Sequence, residues 1–160
     1  MKVDTLRLRL PSIHDLTSTA VTAFAYKQAG VWHVGEPTSL TTILSQYQPR
    51  LLEVGLHPAD TTLVTTSMPP LSEKHRRTAV LAQIEPLALD DVDQLSIAYG
   101  PRSPSGDVTL AWLPRESLAY VHDVLQGQGV VLPALRFYPA PFFWPCPTPA
   151  KPAHLLINGR

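Results

Sequence analysis

The sequence predicts an α/β protein of two lobes, and three observations lead there. Residues 6–10, Leu-Arg-Leu-Arg-Leu, alternate apolar and cationic side chains with the period of a strand that buries one face. From residue 60 onward, strand-like and helix-like patterns follow one another as strand, helix, strand, strand, helix, strand. The composition, 44% hydrophobic and 16% charged over 160 residues, belongs to an ordered chain long enough to bury a core.

Taken in order, Pro11 stops the first strand, and residues 20–27 and 31–34 flank Gln28-Ala29-Gly30 as a hairpin with a short turn. Thr38 or Ser39 offers an N-cap oxygen to a helix running to about residue 48, where Pro49 ends it. Residues 51–56 add a short strand, so residues 1–57 are expected to form a β-rich lobe with one helix. Residues 58–138 are expected to form a βαββαβ lobe, with strands at 61–67, 94–99, 107–112 and 130–137 and helices at 72–89 and 114–126. Gly127 and Gly129 follow the second of these helices, where a left-handed cap residue is wanted. Pro139, Pro141, Pro145, Pro147, Pro149 and Pro152 then exclude a helix interior or a central strand. Residues 139–160 read as a proline-rich connector, with 154–160 a strand entering an Asn158-Gly159 turn. Its returning strand is expected in a second half of a longer chain.

Composition also narrows function. Lys plus Arg and Asp plus Glu number 13 each, so no global field draws the chain to nucleic acid or an anionic membrane. The single cysteine, Cys146, cannot form an internal bridge and fits a reducing compartment. No apolar run approaches the ~20 residues that span a bilayer. His14, His33, His57, His75, His122 and His154 include no pair three to five apart and no cysteine neighbour, so zinc-site spacing is absent. A Gly-x-Ser-x-Gly elbow and a Gly-x-x-x-x-Gly-Lys-Ser/Thr loop are both missing. Gly127-Gln128-Gly129 lies between a helix and a strand, the reverse of the dinucleotide-binding order. No catalytic, cofactor or metal residue is therefore expected.

Charge is densest from Leu71 to Asp93. Ser72 is placed to cap a helix, and Val80, Ile84 and Leu87 recur at the spacing of an apolar stripe. Lys74, His75, Arg76 and Arg77 fill the first two turns, where the helix dipole disfavours each cation by a few tenths to ~1 kcal/mol. Pro86 should kink or end the helix just after Glu85, and Asp90, Asp91 and Asp93 follow. One reading is a solvated helix with a solvated turn. The other is a docking surface with Lys74, Arg76, Arg77, Glu85, Asp90, Asp91 and Asp93 as contact residues. Phe142-Phe143-Trp144 is apolar enough to need cover, either from this chain's own lobes or from a second copy in a homodimer.

The succession from Thr61 through Met68-Pro69-Pro70-Leu71, the basic-to-apolar helix reaching Ile84-Glu85, and Leu87-Ala-Leu-Asp-Asp-Val-Asp-Gln-Leu-Ser-Ile-Ala-Tyr-Gly100 resemble the cytoplasmic region of type II secretion system protein L. Leu6-Arg-Leu-Arg-Leu-Pro11 and the approach from Gly35-Glu36 to Leu40 agree, so the resemblance covers about residues 4–138. It implies a partial actin-like (RNase H-like) fold, similar also to the type IV pilus assembly protein M. It further implies a non-enzymatic scaffold that recruits the secretion ATPase, protein E, on the cytoplasmic side of the bacterial inner membrane. A C-terminal membrane helix and periplasmic parts contacting protein M of the system would lie outside this chain. The alternatives are a nucleotide-binding actin-like ATPase and a generic protein-interaction domain. Actin-like nucleotide binders carry an Asp and a Gly-rich turn after the first strand, whereas Leu10-Pro-Ser-Ile-His-Asp-Leu16 has no glycine, which argues against hydrolysis.

Overall fold

Residues 1–129 and 134–139 are described in the structure, a computed structural model. Strand β1 (Lys2–Arg9) buries Leu6 and Leu8 while Arg7 and Arg9 take the opposite face, as the alternation predicts. It pairs antiparallel with β2 (Val21–Gln28), setting Leu8 opposite Phe24 and Leu6 opposite Tyr26. The hairpin returns through Ala29 and Gly30, both at positive φ (50° and 80°), into β3 (Val31–Val34). Two consecutive positive-φ residues make a primed turn, whose twist suits a two-residue hairpin. Gly35 follows with its Cα against the Phe24 ring, where a Cβ would overlap the aromatic carbons.

A short β4 (Thr38–Ser39) pairs with β2 and leads into helix α1 (Leu40–Gln46). Ser39 is the N-cap, its Oγ accepting from the Thr42 amide at 3.2 Å. β5 (Gln48–Leu56) then runs parallel to β1, with Leu52 beside Leu6 and Val54 beside Leu8. Parallel neighbours need a crossover, and the β2-β3-β4-α1 segment supplies it.

The chain next builds a smaller antiparallel sheet from β6 (Thr62–Ser67), β7 (Leu95–Tyr99) and β8 (Asp107–Pro114), in the order β6-β8-β7. Helix α2 (Glu73–Ile84) covers one face, its Val80 and Ile84 meeting Val108, Leu110 and Trp112 of β8 with Leu95 and Met68. The alternate residues Ala111 and Leu113 of β8 and Ala98 of β7 belong instead to the first core. β8 is thus apolar on both faces, and the two cores meet across it.

Helix α3 (Arg115–Gln126) and β9 (Ala134–Pro139) complete the described fold. β9 pairs parallel with β5, placing Leu135 beside Leu52 and Phe137 beside Val54, so the first sheet reads β3-β2-β1-β5-β9 with β4 on β2. Leu118, Val121 and Leu125 of α3 join Leu40, Ile43 and Leu44 of α1 in its core. Three antiparallel strands followed by two parallel ones, each reached through a helix, form the partial actin-like (RNase H-like) architecture.

Several expectations are corrected. Residues 58–138 show the expected βαββαβ order, but its strands are shared between two sheets. β9 returns to the first sheet by pairing on the free edge of β5 and α3 lays its apolar stripe on that sheet's core, leaving the smaller sheet as an insertion in the β5–β9 crossover. The helix does not reach residue 89 but stops at Ile84, the ending expected of Pro86, which has no amide proton and whose ring obstructs the preceding turn. Leu87 therefore leaves the apolar stripe and stands exposed. The Ser72 hydroxyl caps no amide and pairs with His75 Nδ1 at 2.8 Å. Gly127 keeps a helical φ of −64°, and the left-handed residue is Gly129 at +70°. Pro139 is the last residue of β9 rather than part of a connector, and a strand end at the edge tolerates its missing donor. The expectations for residues 130–133, Phe142–Trp144, Cys146 and the strand at 154–160 lie outside the described residues.

Candidate partner-binding surface

Helix α2 carries Lys74, Arg76 and Arg77 in its first turns and Glu85 at its C-cap, and Asp90, Asp91 and Asp93 lie in the connection that follows. Along the helix, Arg77 and Glu85 are separated by a rise of about 12 Å.

At the cationic end Arg76 is engaged within the protein, while Lys74 and Arg77 form no ion pair among the described residues. Arg76 pairs with Glu73 at 3.4 Å one turn back. The Tyr99 hydroxyl donates to the other Glu73 oxygen at 2.9 Å. Burial, and after it the Glu73 carboxylate, push the Tyr99 phenol above its ordinary 10.0, with Arg77 and Arg76 opposing. A first-turn glutamate also complements the helix dipole that Lys74, Arg76 and Arg77 work against. The sequence reading missed this Glu73 network because Tyr99 lies on β7, and only the fold brings it to α2.

The acidic end is open. Glu85 is the C-cap of α2, and the chain turns as the Leu87 and Ala88 amides both donate to the Ile84 carbonyl at 2.9 Å. Asp91 caps a 3-10 turn over Val92–Gln94, its carboxylate accepting from the Asp93 amide at 3.1 Å. Ala88 and Val92 pack on the smaller core, whereas Leu87 is 53% and Leu89 104% exposed. Asp90 and Asp93 line a groove of about 320 Å³ together with Gln94, Pro114, Arg115 and Glu116. Among the described residues, none of Glu85, Asp90, Asp91, Asp93 or Glu116 forms an ion pair. Arg115 and Glu116 were missed as groove residues because the sequence shows them only as the first turn of a helix. Leu87 and Leu89 had a readable signal in Pro86, since a helix that stops there cannot bury them.

Two other places offer concave or polar surface. A second groove of about 300 Å³ runs between α3, β7 and β9, lined by Ser96, Arg115, Leu118, Ala119, His122, Asp123 and Phe137. At the carboxyl ends of the parallel strands, a 3-10 turn over Ile13–Asp15 fills the β1–β2 connection. There the Ile13 amide donates to Asp60 Oδ2 at 2.9 Å and the Asp15 amide to the Ser12 carbonyl at 2.9 Å. Tyr120 Oη donates to the Leu16 carbonyl at 2.9 Å. The Ile13, Asp15 and Leu16 amides of this turn are thus engaged by protein groups. Thr61, beside Asp60, keeps its buried Oγ1 without a hydrogen-bond partner among the described residues. No group of His, Cys, Asp and Glu among the described residues is arranged to hold a metal ion.

This geometry can be set beside known proteins. No family model and no curated protein matches the sequence. Among solved structures, the cytoplasmic domain of EpsL, an inner-membrane component of the type II secretion system of Vibrio cholerae, superposes with a TM-score of 0.63 at 19% identity over 84% of this chain. This chain has the fold of that domain. The PilM–PilN type IV pilus biogenesis complex matches with a TM-score of 0.54 at 19% identity over 82% of this chain. The chain spans 56% of the EpsL structure and 47% of the PilM–PilN one, about half the length of each. Among the described residues, no helix is long and apolar enough to cross a membrane.

Proposed function

We propose that the chain is a non-enzymatic scaffold of a type II secretion inner-membrane platform, which recruits and positions the secretion ATPase on the cytoplasmic face of the bacterial inner membrane. The observation that carries this reading is the likeness to the EpsL cytoplasmic domain across 84% of the chain. The open surfaces support it too, because carboxylates without an ion pair among the described residues, beside exposed leucines, are recognition chemistry. The engaged amides after β1 support the non-enzymatic part. In this reading, contact with protein M and passage through the membrane belong to parts of the parent protein outside this sequence, and a second copy of the chain is a further partner.

Co-purification with the N-terminal domain of the cognate secretion ATPase tests the role. Retention of that domain is expected, and its absence refutes recruitment. Calorimetry with magnesium and ATP tests the enzymatic alternative: no heat and no rise in melting temperature are expected, whereas a saturable signal would revive it. The likeness to PilM–PilN favours a pilus-assembly counterpart as the second reading, and retention of a pilus protein in place of the secretion ATPase would select it.

A further inference from the structure

Resting on this recruiting role, we infer that the connection between α2 and β7 is a two-point plug. Leu87 and Leu89 enter an apolar recess of the partner, while a lysine or arginine of the partner enters the groove between Asp90, Asp93 and Glu116.

The connection is built in reverse of the usual burial order. Ala88, the smaller side chain, packs with Val92 on the core, while the two leucines flanking it face water. Hydrogen bonds hold both ends of the segment: the Leu87 and Ala88 amides on the Ile84 carbonyl, and the Gln94 amide on the Asp91 carbonyl at 2.9 Å. The leucines are thus presented on fixed backbone, which lowers the ordering cost of association. A Leu side chain kept in water gains free energy from any apolar recess that covers it.

Charge selects the partner. Glu85, Asp90, Asp91, Asp93 and Glu116 have no ion pair among the described residues, and Arg115 is the cation lining the groove. The local field is negative, which repels phosphate and anionic lipid and attracts a cationic side chain. The groove, about 320 Å³, has the volume for a lysine or arginine head and is lined by carboxylates from both the α2–β7 connection and the start of α3. The occupant is therefore a protein surface with an apolar recess and a protruding cation beside it.

The test measures binding of the N-terminal domain of the cognate secretion ATPase by calorimetry at low and high salt. Three variants are compared with the unaltered chain: Leu87→Ser with Leu89→Ser, Asp90→Lys with Asp93→Lys, and the single change Leu89→Gln. The paired changes should each weaken binding at least about tenfold with the unfolding midpoint unchanged. Residual binding of the lysine variant should lose its salt dependence. Leu89→Gln, the mildest change at a fully exposed position, keeps the test open if a paired variant misfolds, and it should weaken binding by about threefold or more. Binding by the unaltered chain that all variants match overturns the plug and leaves recruitment standing. An unaltered chain that does not bind overturns both. If sedimentation shows the leucine changes dissolving a dimer while ATPase binding survives, the occupant is a second copy and the inference falls.

Discussion

Arg7 with Glu53 in the first sheet, and the carboxylates that follow α2, place the same chemistry in opposite settings. Glu53 is 6% exposed, and it takes a hydrogen bond from Arg7 Nε at 2.5 Å and one from the Tyr138 hydroxyl at 3.3 Å. The Arg7 guanidinium also lies over the Trp32 ring, 4.2 Å from its centroid. After α2, Asp90, Asp91 and Asp93 stand in water with no cation in ion-pair reach among the described residues. Charges of the first kind cannot change partners without a desolvation cost, so they hold structure. Charges of the second kind have all their pairing energy still available, so they serve recognition.

The sharpest way to break this contrast is to strip one partner from the buried pair. Arg7→Met should lower stability by about 3–5 kcal/mol by stranding the Glu53 carboxylate, and adding Glu53→Gln should restore part of that loss. Urea unfolding of the single and double variants reads both. If Arg7→Met costs no more than an ordinary surface change, the pair is not structural.

A smaller effect is expected from Gly35→Ala, which drives a methyl group into the Phe24 ring on the strand beside β1. A loss of about 1–3 kcal/mol should appear in the same measurement. High pH comes next. Burial first, then neighbouring groups, raise the phenols of Tyr47, Tyr99 and Tyr138 above the ordinary 10.0. The folded state favours the protonated phenol, so this stability is fully present below pH 10.0 and is lost as pH climbs through the raised values. The thermal midpoint should accordingly fall above that pH, and less steeply in Tyr99→Phe.

Ala29→Asn should stabilise by about 0.5–1 kcal/mol, because asparagine tolerates the left-handed φ that alanine resists. Smallest of all, Asp90→Asn with Asp91→Asn should move stability by no more than about 0.5 kcal/mol. A larger loss would mean that these carboxylates hold the fold after all.

Local chemistry explains what could be read from the sequence. The period-2 run at Leu6–Leu10, the Ala29-Gly30 turn and the Ser39 cap involve residues within a few positions of one another, and each appears where expected. The destination of β9 could not be read, because pairing with β5 depends on an edge more than seventy residues upstream being open. At the candidate surface, the acidic run from Asp90 to Asp93 was visible as a run of charge. The groove was not, because its other wall, Pro114 to Glu116, arrives by way of β8. Leu87 was assigned to the helix stripe on spacing alone, a pattern that Pro86 interrupts.

The insertion of the smaller sheet into the β5–β9 crossover has a consequence for how the protein is made. On the ribosome, β1, β2, β3 and β5 emerge first and form an incomplete sheet whose β5 edge must wait for residues 134–139. The smaller sheet, with α2 and its own apolar cluster, is synthesised entirely within that interval and is joined by nearer pairings. Assembly during translation should therefore finish the inserted sheet before the sheet that began the chain. Until β9 arrives, the nascent chain carries an unpaired strand edge that is open to mispairing with a neighbouring chain.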